Sequence, residues 1–207
     1  MKFESLIFDI DGTLWDSRSV VAKSYNAQMK EEGYEAYYVD EAMLGRVFGK
    51  TTTEIADIVF EGLAPEIKYP LIERCMKREN GILHEDVSSM SYPNVKETLE
   101  QLVKNHRLFI VSNSQCGYPE LCMDKLGLTP YIQGHMCFGD TGTSKGQTIR
   151  TLMEKYQIEN CAYIGDTQGD YEATVEAGVP FLWAAYGFGT PEGYAAKIDA
   201  FADLLKL

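Results

Sequence analysis

The sequence predicts an α/β protein, in which a doubly wound parallel sheet of the Rossmann-like kind carries an inserted helical domain. From residue 92 onward, short apolar segments typical of buried strands alternate with amphipathic stretches of helical length. Alternation of this kind favours a parallel sheet with helices on both faces. A further buried strand is predicted near the start of the chain, followed by a region with helical periodicity only.

Each element of the alternating region is assigned from its apolar pattern. The predicted strands are residues 6–8, 108–111, 135–138, 161–164 and 180–183. The predicted helices are residues 94–104, 119–126, 145–156 and 171–177. Gly127 and Gly178 follow the second and fourth of these helices, where a glycine commonly ends a helix.

The region between the first and second predicted strands has only helical periodicity, over residues 20–28, 53–60 and 65–78. We therefore divide the chain into a catalytic core, residues 1–15 and 90–207, and a helical cap, residues 16–89. Helices inserted directly after the first strand indicate a lid. A helical subdomain with structural duties only is the alternative.

Composition indicates which partners and which compartment to expect. The 207 residues carry a net charge of −12, which disfavours nucleic acid and anionic membrane surfaces as partners. The five cysteines have neither CxxC spacing nor ligand-like spacing to a histidine, which is typical of a reduced cytoplasmic protein. No apolar stretch reaches the length of a membrane span. The sequence leaves open whether the protein is a monomer or a homodimer.

Four polar segments lie at or soon after the ends of predicted strands. They are FDIDGT at residues 8–13, the pair Ser112 and Asn113, the residue Lys145, and GDTQGD at residues 165–170. In an open parallel sheet, ligands bind at the carboxyl ends of the strands. The fold therefore brings four acids, a hydroxyl, an amide and a lysine to one edge of the sheet.

The acids in these segments predict a magnesium site. Asp9 and Asp11 lie two residues apart and so point the same way from an extended chain. Their mutual repulsion is relieved by a hard divalent cation, to which Asp166 and Asp170 add further oxygens. Cysteine and histidine are absent from the four segments, which argues against zinc. The prediction depends on the co-occurrence of the segments, because a lone DxD pair is often a turn.

Gly12 and Thr13 are predicted to contact a bound phosphate. Gly12 permits a tight turn close to a ligand, and Thr13 offers a hydroxyl and an amide.

In their order along the chain, FDIDGT, Ser112, Lys145 and GDTQGD resemble the four motifs of the haloacid dehalogenase superfamily. The resemblance covers nearly the whole chain, including the helical insertion. It is to the branch with a helical cap, which includes phosphoglycolate phosphatase and the beta-phosphoglucomutase-like enzymes. In that branch a doubly wound core carries the chemistry and the cap closes over it.

The resemblance implies a role for each motif residue. Asp9 would attack phosphorus and bind Mg²⁺, and Asp11 would act as acid and then base, with its backbone carbonyl as a metal ligand. Asp166 would also bind Mg²⁺, supported by Asp170. The residues that would hold the phosphoryl group are Ser112, Asn113 and Lys145. A transferring phosphoryl group needs this positioning and neutralisation of its oxygens.

The expected activity is magnesium-dependent hydrolysis of a small soluble phosphate monoester, phosphoglycolate-like or a sugar phosphate, through a phosphoaspartate. The presence of Asp11 argues against dehalogenation. Val21 and Thr52 stand where similar sugar-phosphate mutases carry a histidine and an arginine. A beta-phosphoglucomutase-like phosphomutase and a receiver-type phosphorylatable binding module remain alternatives. Trp15 and the lysine segment TSKGQ depart from phosphoglycolate phosphatases, which leaves the substrate open.

Arg46 and Lys50 flank Phe48 and Gly49 in the cap. They are candidates for gripping a second anionic group of the substrate, or else for a solvated helix end.

Overall fold

The computed structural model describes residues 3–207, which divide into two compact units. The first unit consists of the described residues up to Asp16 together with Met90–Leu207, and the second of Ser17–Ser89.

The first unit is built on a six-stranded sheet in which every neighbouring pair is parallel. Its strands are β1 Ser5–Phe8, β2 Arg107–Ser112, β3 Ile132–Cys137, β4 Cys161–Gly165, β5 Phe181–Ala184 and β6 Ala196–Ile198. The spatial order is β3-β2-β1-β4-β5-β6. The predicted doubly wound parallel sheet is therefore confirmed.

Five helices and a final 3-10 helix accompany the sheet. They are α5 Val95–Leu102, α6 Tyr118–Leu126, α7 Phe138–Thr141, α8 Lys145–Tyr156, α9 Gln168–Ala177 and the 3-10 helix Phe201–Lys206. The central strands β1, β2 and β4 are mostly apolar because both faces of a parallel sheet are covered. Ile7, Phe109 and Tyr163 of the three central strands are fully buried in one core with Ile149 and Leu152 of α8.

The sheet order fixes where a ligand site forms. β1 is flanked by β2 and β4, with Phe8 opposite both Ile110 and Ile164. β2 and β3 lie on one side of β1, and β4, β5 and β6 lie on the other, so the strand order reverses at β1. The crevice beyond the carboxyl ends of such strands is where doubly wound sheets bind ligands.

The second unit is entirely helical. Its helices are α1 Arg18–Glu31, α2 Glu41–Val47, α3 Thr52–Val59 and α4 Pro65–Glu85. Two bridges tie α4 to the end of α1 and its C-cap: Arg74 to Glu32 at 2.5 Å and Arg78 to Glu31 at 2.7 Å.

Several elements differ from the prediction. The strand predicted at 135–138 begins earlier and ends at Cys137, because Phe138 starts the short helix α7, whose Asp140 caps the Cys137 amide. The helix α2, the strand β6 and the 3-10 helix were not predicted, and α4 runs beyond the predicted residue 78 to Glu85. Within residues 3–207, no helix combines the length and the apolar character that a membrane crossing requires.

Candidate active site

The predicted polar segments meet at the carboxyl edge of the sheet. Asp9 directly follows β1, Ser112 is the last residue of β2, and Asp166 directly follows β4. The amide of Asp9 donates to the carbonyl of Ile164 at 2.8 Å, which extends the β1–β4 pairing to the first catalytic candidate.

A buried cluster of carboxylates lies at this edge. Oxygen atoms of Asp9, Asp166 and Asp170 lie within 4.8 Å of one another, and all three residues are buried. Lys145, at the start of α8, places its Nζ 3.1 Å from Oδ1 of Asp9 and 2.6 Å from Oδ1 of Asp170. Only 5% of Lys145 is exposed. One ammonium therefore contacts two of three clustered carboxylates and cannot balance the charge of all three.

Asp170 is fixed by the start of α9. Its Oδ2 accepts hydrogen bonds from the Thr167 amide at 3.0 Å and the Thr167 hydroxyl at 2.7 Å, and the same hydroxyl accepts from the Asp170 amide. This reciprocal arrangement is a capping box. Oδ2 of Asp170 thus caps the start of α9, while Oδ1 accepts a hydrogen bond from Lys145.

The electrostatics of the cluster follow from burial and crowding. Burial raises the pKa of Asp9 to about 7 against the lowering effect of Lys145, and the charges of Asp170 and Asp11 add to the rise. Burial, followed by the charges of Asp170 and Asp9, holds the pKa of Asp166 well above its usual range. Burial is also the largest single influence on Asp170 and acts to raise its pKa, but Lys145 and the hydrogen bonds from Thr167 together bring that pKa below its usual value. Asp9 and Asp166 are therefore the groups that gain most from a nearby cation.

The donor set fits a hard divalent cation. Oδ2 of Asp166 accepts the Phe188 amide at 2.6 Å, whereas Oδ1 is buried and has no hydrogen-bond partner among residues 3–207. An unpaired buried carboxylate oxygen is costly unless something binds it. Carboxylate oxygens are the ligands that Mg²⁺ prefers, so Asp9 and Asp166 are suited to hold this ion. The oxygens of Asp170 already accept hydrogen bonds from Lys145 and Thr167.

Asp11 is held by two aromatic side chains that the sequence analysis did not place in the site. Its Oδ1 accepts hydrogen bonds from Trp15 Nε1 at 3.0 Å and from the Tyr118 hydroxyl at 2.8 Å. The two rings meet edge to face with centroids 5.7 Å apart, and both side chains are buried. In the sequence, Trp15 stands out only because phosphoglycolate phosphatases carry another residue there, and nothing in the sequence near Tyr118 connects that residue to Asp11.

The loop after β1 is compact. Gly12 has a φ of +78°, and a Cβ there would lie 2.2 Å from Oδ2 of Asp166, so both its conformation and its surroundings require glycine. The Gly12 amide donates to the carbonyl of Trp15 and the Thr13 amide to that of Ile10. Thr13 is fully buried, and its hydroxyl has no partner in the described part of the chain. Because the Thr13 amide is already bonded to Ile10, the Thr13 hydroxyl is the group that could donate a hydrogen bond to an anion.

Ser112 and Asn113 end β2 beside this loop. Ser112 is buried, and its hydroxyl oxygen accepts the amide of Ser114 at 3.2 Å. Asn113 is half-buried and lies between them. The strand end thus presents a polar turn next to β1, as the sequence predicts.

Further residues that support the site lie outside the four predicted segments. Tyr163 of β4 donates its hydroxyl to the carbonyl of Val111 at 2.9 Å and contacts Oδ1 of Asp170 at 3.3 Å. After β5, the hydroxyl of Tyr186 donates to the Thr13 carbonyl at 2.9 Å. Tyr163 sits in an apolar strand and Tyr186 in a loop, so neither carries a sequence signal.

Arg46 and Lys50 belong to the second unit. Arg46 is exposed in the last turn of α2 and contacts the sulfur of Met43, and Lys50 is half-buried just beyond that helix. Their role in gripping a substrate stays a prediction.

A sequence profile for haloacid dehalogenase-like hydrolases matches residues 6–184, most of the chain. The chain belongs to this family. It is similar to the phosphoglycolate phosphatase of Aquifex aeolicus, with 30% identity over 188 residues that cover 88% of this chain and 85% of the relative. It is also similar to the phosphoglycolate phosphatase of Xanthomonas campestris, with 26% identity over 91% of this chain and 86% of the relative.

Solved structures share the fold. A predicted phosphoglycolate phosphatase from Haemophilus somnus superposes with a TM-score of 0.86 at 22% identity, over 100% of this chain and 98% of that one. CbbY from Rhodobacter sphaeroides, in complex with xylulose-(1,5)bisphosphate, has a TM-score of 0.78 at 16% identity, over 98% and 96% of the two chains. At these identities the likeness concerns the fold. The predictions of a haloacid dehalogenase-type fold and of a hydrolase of the phosphatase class are confirmed.

Proposed function

We propose that this protein hydrolyses a small soluble phosphate monoester with Mg²⁺, through a phosphoaspartate formed on Asp9. The observation that carries the proposal is the buried cluster of Asp9, Asp166 and Asp170 around Lys145 at the switch point of the sheet. A dense set of buried acids is costly to the fold, and a divalent cation would relieve that cost and leave ligand positions for a phosphate group.

Asp9 is the nucleophile in this proposal. Its carboxylate attacks phosphorus, the bond to the ester oxygen breaks, and the leaving alkoxide takes a proton from Asp11. A water molecule then attacks the phosphorus of the phosphoaspartate and gives a proton to Asp11, which releases inorganic phosphate and restores both carboxyl groups. Mg²⁺ held by Asp9 and Asp166 would neutralise negative charge on the phosphoryl oxygens.

The surrounding residues position the phosphoryl group. Lys145 supplies the fixed positive charge of the site, and its two carboxylate partners keep it ionised: burial by itself would lower its pKa, but Asp170 and Asp9 raise it above its usual value. Ser112, with Asn113 beside it, would donate hydrogen bonds to phosphoryl oxygens. Donors fixed in advance where charge develops stabilise a transition state without reorganisation.

We infer a substrate of the phosphoglycolate type, which carries a carboxylate as well as a phosphate. The names of the relatives from Aquifex aeolicus and Xanthomonas campestris support this choice. The second unit, residues Ser17–Ser89, would act as a cap that selects the substrate, with Arg46 and Lys50 gripping the second anionic group. A sugar phosphate is the other substrate class.

The five free cysteines favour the reducing cytoplasm as the location of this protein.

A panel of phosphate esters tests the proposal. Phosphoglycolate, sugar phosphates and an aryl phosphate are incubated with purified protein, with Mg²⁺ or with excess chelator, and inorganic phosphate is measured. We expect turnover only with Mg²⁺, and a loss of several powers of ten in Asp9→Asn, whose fold should survive because the amide is nearly isosteric with the carboxylate. Full activity in chelator, or Asp9→Asn retaining more than about a hundredth of the activity, would overturn the mechanism.

A further inference from the structure

A second cluster of metal-binding side chains lies in the first unit. Sulfur atoms of Cys116 and Cys137 and a carboxylate oxygen of Asp140 lie within 4.8 Å of one another. Cys116 is exposed in the loop between β2 and α6, Cys137 ends β3 and is buried, and Asp140 lies in α7. None of the three belongs to the acid cluster around Lys145.

The spacing of these atoms suits a tetrahedral ion. Sγ of Cys116 lies 3.6 Å from Oδ1 of Asp140, and Sγ of Cys137 lies 3.2 Å from Oδ2. Zinc binds sulfur at about 2.3 Å and carboxylate oxygen at about 2.0–2.2 Å, so a tetrahedral site separates a sulfur from an oxygen by roughly 3.5–3.7 Å. The two sulfurs approach different oxygens of Asp140, and all three residues have ligand atoms within 4.8 Å of one another, so side-chain adjustment would bring the ligands onto one ion.

The backbone holds the three ligands in place. The Cys137 amide donates to Oδ2 of Asp140 at 2.9 Å, and the Gly139 amide donates to the carbonyl of Ser114 at 3.1 Å. A Cβ at residue 139 would lie 2.4 Å from the backbone nitrogen of Cys116, so glycine is what lets α7 approach the loop so closely. The ligands come from three segments that are already packed together.

We propose that Cys116, Cys137 and Asp140 bind a thiophilic divalent cation of the zinc type, with water completing the coordination. Two thiolates and a carboxylate supply three ligands and one negative charge more than such an ion carries, and the water molecule would take the fourth tetrahedral position. Soft sulfur ligands select zinc or cadmium over magnesium, whereas the oxygen ligands of the Asp9 cluster do the reverse. The chain therefore carries two metal sites that differ in chemistry.

The state of the thiols without a metal agrees with this reading. Burial and the hydrogen bond to Asp140 raise the pKa of Cys137 to about 12, and the same two causes raise the pKa of Cys116. Both thiols thus keep their protons at neutral pH, and Sγ of Cys137 also lies 3.5 Å from the Gln115 carbonyl. Binding replaces these two protons by one dication, so two protons leave for each ion bound.

Cadmium titration tests the site. The protein, kept reduced with a phosphine and in excess Mg²⁺ to occupy the Asp9 cluster, receives Cd²⁺ while the ultraviolet cadmium–thiolate band, thiol reactivity and proton release are followed. We expect one equivalent to bind, to protect the exposed thiol of Cys116 and to release two protons. Zn²⁺ should displace the cadmium and remove the band.

Three variants separate the site from adventitious binding. Cys116→Ala should weaken Cd²⁺ binding more than about 100-fold, beyond the 10–100-fold typical of losing an outer partner. Asp140→Asn should weaken it while its amide oxygen still caps the Cys137 amide. Cys161→Ala, which removes a buried thiol at the start of β4, should bind as the unaltered protein does. Equal binding by Cys116→Ala and Cys161→Ala, or no saturable binding by the unaltered protein, would overturn the proposal.

Discussion

Tyr118→Phe tests how the proposed acid–base residue is controlled. The Tyr118 hydroxyl lies 2.8 Å from Oδ1 of Asp11, and the variant removes this donor while the buried ring and its contact with Trp15 remain. Hydrogen bonds donated to a carboxylate stabilise its ionised form. A bond to a charged group contributes about 1.5–3 kcal/mol. At 1.36 kcal/mol for each pKa unit, the loss should make Asp11 hold its proton to a pH about one to two units higher.

The assay is the pH dependence of kcat/KM for an alkyl phosphate. Asp11 must be protonated to release an alkoxide, so activity on this ester should fall as Asp11 ionises, and this alkaline limb should move up by about one to two pH units in Tyr118→Phe. An aryl ester with an acidic phenol departs without a proton, and its limb should move little.

Tyr131→Phe is the matched control, because the Tyr131 hydroxyl bonds Glu100 instead. An alkaline limb that stays in place in Tyr118→Phe, or moves as far in Tyr131→Phe, would show that Tyr118 does not tune Asp11.

Three further predictions concern the acids and the cap. Asp11→Asn should slow single-turnover cleavage of alkyl esters by about 10²–10⁴-fold and of aryl esters less, and equal losses would count against the acid role. The pKa of Asp9 is raised to about 7, so Mg²⁺ competes with a proton for this carboxylate. The metal should therefore raise the melting temperature more at pH 8 than at pH 6, and the opposite order would contradict metal binding at Asp9. Arg46→Ala and Lys50→Ala should raise KM for phosphoglycolate but not for an aryl phosphate, and an unchanged KM would remove both from the substrate site.

The sequence predicts the sheet because its strands carry their own signal. Central strands of a parallel sheet are continuous apolar runs, and the polar residues that follow them mark their carboxyl ends. The start of α8 is predicted to the residue, at Lys145. The edge strand β6, at three residues, and the helix α7, at four, are too short to show a period.

The site is less legible where it depends on contacts between distant residues. Asp11 and Tyr118 are 107 positions apart, and no spacing rule connects them. The start of a helix is an ordinary place for an exposed lysine, so the sequence does not indicate that Lys145 is buried. Trp15 is visible as an unusual residue, but its hydrogen bond to Asp11 depends on the loop that Gly12 allows.

The two contacts of Lys145 differ in a way that bears on the reaction. Its bond to Asp170 is the shorter, 2.6 Å against 3.1 Å to Asp9, and Asp170 is itself fixed by the capping box with Thr167. An arriving phosphate would therefore compete for the contact with Asp9, the weaker of the two. In the proposed mechanism this is the carboxylate that must leave its partner and attack phosphorus. Asp170 would keep Lys145 charged and in place throughout the reaction. Asp9 would then be free to react, because Lys145 does not depend on Asp9 for its position or its charge.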